Sequence, residues 1–175
     1  AETTTVCHLN VEWAPVTDTV EGLNSRPGVV GQGEPISISA GLALAYEPFR
    51  IGDTWGPPWG TTWFHLTATV PPKHRDDHLE MIVDLGGVWD SPGFQSEGLV
   101  VRPDGSIIKA LNPRNTWIPV ETDAEGHIDV YVEAASNPIL LAQPPFQPTE
   151  GGDKLTASTE KYYSLKRADL VVVND

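Results

Sequence analysis

The 175 residues suffice for one domain with a sizeable core. Lys and Arg number 11 against 24 Asp and Glu, a net charge of -13 that repels nucleic acid and anionic membranes and suits neutral ligands or basic protein surfaces. Sixteen prolines and sixteen glycines, spread without repeat, favour short elements joined by turns, and the single cysteine, Cys7, excludes an internal disulfide and a thiolate zinc cluster and points to a reducing compartment, the cytoplasm.

The opening AETTTVCHLN carries neither a basic nor an apolar leader segment, and no apolar run in the chain is long enough to span a bilayer. Residues 1–45 read as an N-terminal extension with the first strands, and TDTVEGLNSRPGVVGQGEP reads as a long surface loop. ISISAGLAL alternates Ile36, Ile38, Ala40, Leu42 and Leu44 as a strand would, although its alanines leave a helix open towards its end. From residue 46 onwards we expect a single β-sandwich domain. In WFHLTATV, Phe64, Leu66, Ala68 and Val70 share one strand face, and Trp63, His65, Thr67 and Thr69 the other. Trp63 thus falls on the polar face, where something other than the strand's own core must cover it. HLEMIVDL sets Leu79, Met81, Val83 and Leu85 inward, and GLVVRPDGSIIKAL reads as a hairpin around Asp104-Gly105. HIDVYVEA turns Ile128, Val130 and Val132 inward, STEKYYSLKRA (158–168) is the best helix candidate, and ADLVVV is a last strand apolar enough to be covered on both faces. Several short strands at such spacing predict an all-β fold, a two-sheet sandwich or jelly roll.

Chemistry-bearing constellations are sparse. His74 and His78 sit with Asp76 and Asp77 in KHRDDH, but that stretch is a proline-flanked turn, where spacing of four residues does not converge on a metal; no His-x-His pair occurs. No Gly-x-Ser-x-Gly elbow or phosphate loop is present. Glycoside hydrolysis needs two carboxylates flanking the scissile bond, and Asp84, Asp90, Glu97 and Glu133 are available without any sign of pairing. The denser signal is WGPPWGTTWF (55–64), which holds three of the six tryptophans. Trp55, Trp59, Trp63 and Trp89 with Asp90 would make a sugar platform, since pyranose faces stack on aromatic rings. The weightier alternative is that they plug the core and its loops, each burying about 200 Å².

Read together, WGPPWGTTWF, WDSPGFQSEGLVVRPDG (89–105), ALNPRN (110–115) and IDVYVEAASNP (128–138) resemble the N-terminal region of family 38 α-mannosidases of the Ams1-like branch, from about Phe49 to the C-terminus. The resemblance implies a galactose-binding-like β-sandwich that precedes a large catalytic (β/α) barrel. That barrel would carry a zinc ion with His and Asp ligands and the Asp nucleophile of a retaining mechanism. No position here matches the zinc or nucleophile motifs, so no catalytic or metal-binding residue carries over, and no cofactor is expected in this chain. YYSLKRADLVVVND resembles the strand before the linker into the barrel, so the resemblance implies that the chain stops where the catalytic part would begin, as an excised domain or a proteolytic fragment. The resemblance further implies that Trp55, Trp59 and Trp89, with Arg114 and Asn137, face the barrel or the rim of its cleft, on a loop stiffened by Pro57 and Pro58. Glu97 and Arg114 form a candidate charge pair, either across that interface or as an internal bridge. The rival readings are a free-standing module that binds mannosides and a small hydrolase in its own right.

Overall fold

A computed structural model describes residues 1–17, 35–87, 91, 93, 95–139 and 160–174. Twelve strands are found among them: β1 (Glu2–His8), β2 (Asn10–Pro15), β3 (Glu47–Pro48), β4 (Thr54–Trp55), β5 (Gly60–Thr69), β6 (Leu79–Asp84), β7 (Ser96–Val101), β8 (Ile107–Leu111), β9 (Trp117–Pro119), β10 (His127–Ser136), β11 (Tyr163–Ser164) and β12 (Arg167–Asn174). All their pairings are antiparallel. A four-stranded sheet runs β1-β12-β6-β9, a six-stranded sheet runs β3-β2-β5-β10-β7-β8, and β4 and β11 form a short strap. The N-terminal strands enter both large sheets: β1 is an edge of the first, and β2 lies inside the second.

Strand parity sets the core. Phe64, Leu66 and Val70 of the β5 segment, Ile128, Val130 and Val132 of β10, Met81 and Val83 of β6, and Ala168 and Leu170 of β12 all bury between the two sheets. These are the faces the alternation predicts. On β12 the outward residues Asp169 and Val171 are buried as well, so this stretch is covered on both sides. The β7–β8 hairpin turns where expected: Gly105 takes φ +86°, and Asp104 Oδ1 accepts the Ser106 N–H at 2.8 Å.

Two expected elements differ. ISISAGLAL forms a helix, α1 (Ile38–Leu42), not a strand. Ser37 caps it, its hydroxyl accepting the Ala40 N–H at 3.2 Å. Ile38 and Leu42 are four residues apart and share a helix face, so a strand alternation and a short amphipathic helix are degenerate here. The helix candidate at 158–168 is absent among the described residues: Tyr163–Ser164 is β11, and β12 begins at Arg167. Tertiary pairing of Tyr163 with Trp55 overrides local propensity there. TDTVEGLNSRPGVVGQGEP lies almost wholly outside the described residues. Among those described, no helix is long and apolar enough to cross a membrane.

Candidate functional site

Register brings four loop ends to one end of the six-stranded sheet. Ser136 at the end of β10 pairs with Gly60 at the start of β5 and with Ser96 at the start of β7, and Leu111 at the end of β8 pairs with Gly98. Trp59, Asn137, Glu97 and the Asn112–Asn115 turn therefore cluster there.

Pro57 to Gly60 form the tip. The Gly60 N–H donates to the Pro57 carbonyl at 3.0 Å, Pro58 takes the second position and Trp59 the third with φ +69°. Proline second and a positive φ third define a type II turn, whose third residue is normally glycine. Trp59 is the one non-glycine residue with positive φ among those described, a conformation that costs about 1–3 kcal/mol. Ser136 holds the turn: its carbonyl accepts the Trp59 N–H at 2.9 Å, and its hydroxyl donates to the Pro57 and Gly60 carbonyls. Trp59 is half-buried as a residue, and its indole Nε1 is buried without a hydrogen-bond partner.

The other tryptophans separate. Trp55 does not face outward. It is fully buried, donates its indole N–H to the Leu85 carbonyl at 2.8 Å, and packs at 5.3 Å from Tyr163 and edge-on to Phe64. The same residues that make it a plausible interface aromatic, an apolar ring beside a strand, find their partners inside the sandwich. Trp63 is no platform either. It lies on the outer face of β5, as its parity predicts, and is covered by Ile38 and Leu42 of α1 and by Leu44 and Tyr46 just beyond it. Its Nε1 also lacks a partner. Trp89 and Asp90 fall outside the described residues.

Asn137 works through its backbone, its carbonyl accepting the Tyr163 hydroxyl at 2.7 Å. Arg114 is exposed in a turn where its N–H donates to Asn112 Oδ1 at 2.9 Å. No ion pair joins it to Glu97 among the described residues, so that expected bridge is not formed within them. Glu97 instead lines an open trough of about 390 Å³ on the outer sheet face with Leu99, Ala110, Asn112 and Glu133. Glu133 faces Leu99 and Glu97 faces Ala135, which makes the two carboxylates diagonal neighbours. Among the described residues no hydroxyl, histidine or aromatic side chain lines the trough, so the described surroundings of the pair are not those of a hydrolytic site. Asp84 is engaged in holding the Gly86 N–H at 2.9 Å.

Burial pushes the Glu133 carboxyl above its ordinary value. A raised folded-state value favours the protonated form: that stabilisation is full below the unfolded value near 4.5 and is lost as pH rises through the folded one. Glu133→Gln mimics the protonated form. The variant should melt higher than the parent at pH 7, and the difference should shrink towards pH 4 in paired thermal scans.

A cleft of about 750 Å³ opens at the opposite end and is lined by Asn10, Thr67, Arg102, Glu121, Asp123 and Asp129 among others, with no tryptophan among its described lining residues. Its charges are engaged with one another or with neighbours: Arg102 grips both oxygens of Glu121 at 2.7 Å, and Asp129 meets His65 at 2.7 Å. Asp123, Glu125 and His127 come close enough to suggest a metal, but all three are exposed. Asp123 already accepts the N–H groups of Glu125 and His127 at 3.0 and 2.8 Å and meets the His127 ring at 3.0 Å. The group is a turn cap and does not fit a zinc centre. KHRDDH is likewise a polar turn, a single 3₁₀ turn at Pro72–His74 in which His74 bonds Asp77 at 2.7 Å.

Sequence reasoning passed over Trp13 and Trp117. Trp13 helps line a small slot beside the Pro57 turn, and Trp117 is 45% exposed with the Lys109 ammonium 3.6 Å from its ring centre. Neither sits in a motif, and only the sheet register reveals what surrounds them.

A family model described as "Alpha-mannosidase, jelly roll domain", Ams1-like, matches residues 25–171. The match reaches further towards the N-terminus than the motif resemblance from Phe49. Over 133 residues the chain is 32% identical to alpha-mannosidase 2C1 of Homo sapiens, covering 73% of this chain and 11% of that protein. It is 29% identical over 108 residues to alpha-mannosidase G of Dictyostelium discoideum, covering 59% of this chain and 9% of that protein. The alpha-mannosidase of Saccharomyces cerevisiae is 25% identical over 131 residues, again 11% of its own length. The chain thus spans about a tenth of the length of these relatives. Antiparallel sheets stacked into a sandwich, with a family match that runs from before α1 into β12, lead to one assignment: the chain belongs to the Ams1-like jelly roll domains of α-mannosidases.

Proposed function

We propose that this domain is the N-terminal, non-catalytic accessory domain of an α-mannosidase, packed against a catalytic (β/α) barrel in the same polypeptide and contributing to the wall of its cleft. The observation that carries the reading is one of extent: the family match takes in most of this sandwich, yet the sandwich is about a tenth of the enzymes it resembles. Hydrolysis of α-linked mannose, and the zinc ion it uses, belong to the barrel. This domain's own part is structural, to bury barrel surface and hold adjoining loops in place. The paired charges of the 750 Å³ cleft, with no tryptophan among its described lining residues, give it no stacking platform for a pyranose, which weighs against a free carbohydrate-binding module. The single cysteine fits the cytoplasm as its compartment.

The full polypeptide should hydrolyse nitrophenyl α-mannoside, whereas this chain alone should not and should keep its tryptophan fluorescence unchanged when titrated with methyl α-mannoside. Turnover by the chain alone would make it a small hydrolase. A saturable fluorescence change without turnover would make it a sugar-binding module. Either result ends the accessory-domain reading.

A further inference from the structure

We propose that Trp59 is the anchor by which this domain grips the remainder of its own α-mannosidase polypeptide, its ring receiving an apolar side chain from that region. The inference rests on the accessory-domain reading above and adds the point of contact.

Three observations carry it. The first is conformational: Trp59 occupies the third position of a type II turn with φ +69°, where glycine would sit without strain. The domain itself covers Trp59 only in part, and strain of this kind concentrates where a contact surface needs it. The second is rigidity. Pro57 and Pro58 restrict the turn, and Ser136 satisfies its backbone from both its carbonyl and its hydroxyl. The ring is thus presented by a tip with little conformational entropy left to lose on docking. The third is the surface on offer. The indole N–H points into the protein and finds no partner, so the exposed part of the ring is carbon. Beside the turn lies a slot of about 180 Å³ lined by Trp13, Pro15, Val16 and Pro57, with Lys161 and three threonines also in the lining and, among the described residues, no carboxylate or amide side chain.

A saccharide is usually held by carboxylates or amides that fork onto its hydroxyls as well as by a ring to stack on, and the described lining offers a ring, threonine hydroxyls and one lysine but neither of those groups. An apolar protein side chain needs neither. Aromatic rings in preformed, clamped positions are also the usual hot spots of protein interfaces. The length of the relatives supplies the occupant, because this chain is 11% of alpha-mannosidase 2C1 and 9% of alpha-mannosidase G.

Hydroxyl-radical footprinting of this chain alone and of the full polypeptide that contains it tests the proposal without any substitution. Trp59 should be oxidised in the chain alone and lose most of that labelling in the full polypeptide. Trp117, 45% exposed and outside the proposed contact, should label equally in both. Protection of Trp117 or of other residues with Trp59 still labelled means that the domain docks through another face, which overturns the anchor and leaves the accessory reading standing. No protection anywhere in the domain overturns both.

Discussion

Trp55→Ala should cost this domain about 3–5 kcal/mol of stability, read as a lowered denaturation midpoint of the chain on its own. The residue has no exposed surface, and its ring is gripped from two sides by Tyr163 and Phe64. Truncation to alanine removes the burial of a large aromatic and leaves a cavity that neighbouring strands cannot close. It also strands the Leu85 carbonyl, which now receives the indole N–H at 2.8 Å. Trp55→Phe separates the two effects. It retains most of the packing but not the donor, so its cost should be smaller, about 1–3 kcal/mol for an unsatisfied buried carbonyl. The experiment also divides the two roles open to WGPPWGTTWF. An aromatic that met only another domain would leave the isolated chain within about 0.5 kcal/mol of the parent when truncated. A loss that small would place Trp55 at an interface after all.

Strand parity made much of this fold legible. β5, β6 and β10 each carry apolar residues at every second position, and those are the residues between the sheets. The β7–β8 hairpin was visible because Asp104-Gly105 is turn chemistry between two apolar runs. Parity tells which face a side chain takes, not what lies above that face. Parity puts Trp63 on the outer face, but its cover, α1, comes from more than twenty residues upstream, in a stretch that reads as strand alternation with a helix left open only towards its end. Its apolar residues fit a period of two as well as one side of a short helix, and only the Ser37 cap and the indole beneath decide between them. The strap of β4 and β11 was illegible for a related reason. Tyr163 meets Trp55 across most of the chain, and nothing local to KYYSLK announces an extended pairing. Of the candidate site, Trp59, Glu97, Arg114 and Asn137 do come to one end of the six-stranded sheet, because each lies at or just beyond the end of a strand. What sequence could not separate was Trp55 from Trp59. The two stand four residues apart in one motif; one enters the core with a bonded N–H, and the other tops a turn in a conformation that residue type alone does not reveal.

Gly41→Ala should lift α1 from the sheet. A methyl group at this position would lie 2.1 Å from Cε2 and 2.3 Å from Cζ2 of Trp63, far inside van der Waals contact. The indole has little room to retreat, since Val16, Val101, Leu99 and Tyr131 pack around it as well. The helix can retreat, being only five residues long. Its hold comes from the Ser37 cap, the Tyr46 hydroxyl on the Gly41 carbonyl at 2.8 Å and its own apolar side chains. Uncovering one tryptophan of about 200 Å² sets an upper bound of about 5 kcal/mol on the loss. The net cost should fall below that bound, because the Trp63 N–H, which has no partner while covered, gains water once α1 moves. Two measurements check this: acrylamide should quench the tryptophan emission of the variant more strongly than that of the parent, and the denaturation midpoint should fall. Trp63→Phe made in the Gly41→Ala background should recover part of the loss, since a smaller ring without a donor leaves space for the methyl group. Recovery larger than the effect of Trp63→Phe in the parent chain is the coupling that direct contact requires. Additive effects of the two substitutions would mean that α1 does not rest on this indole.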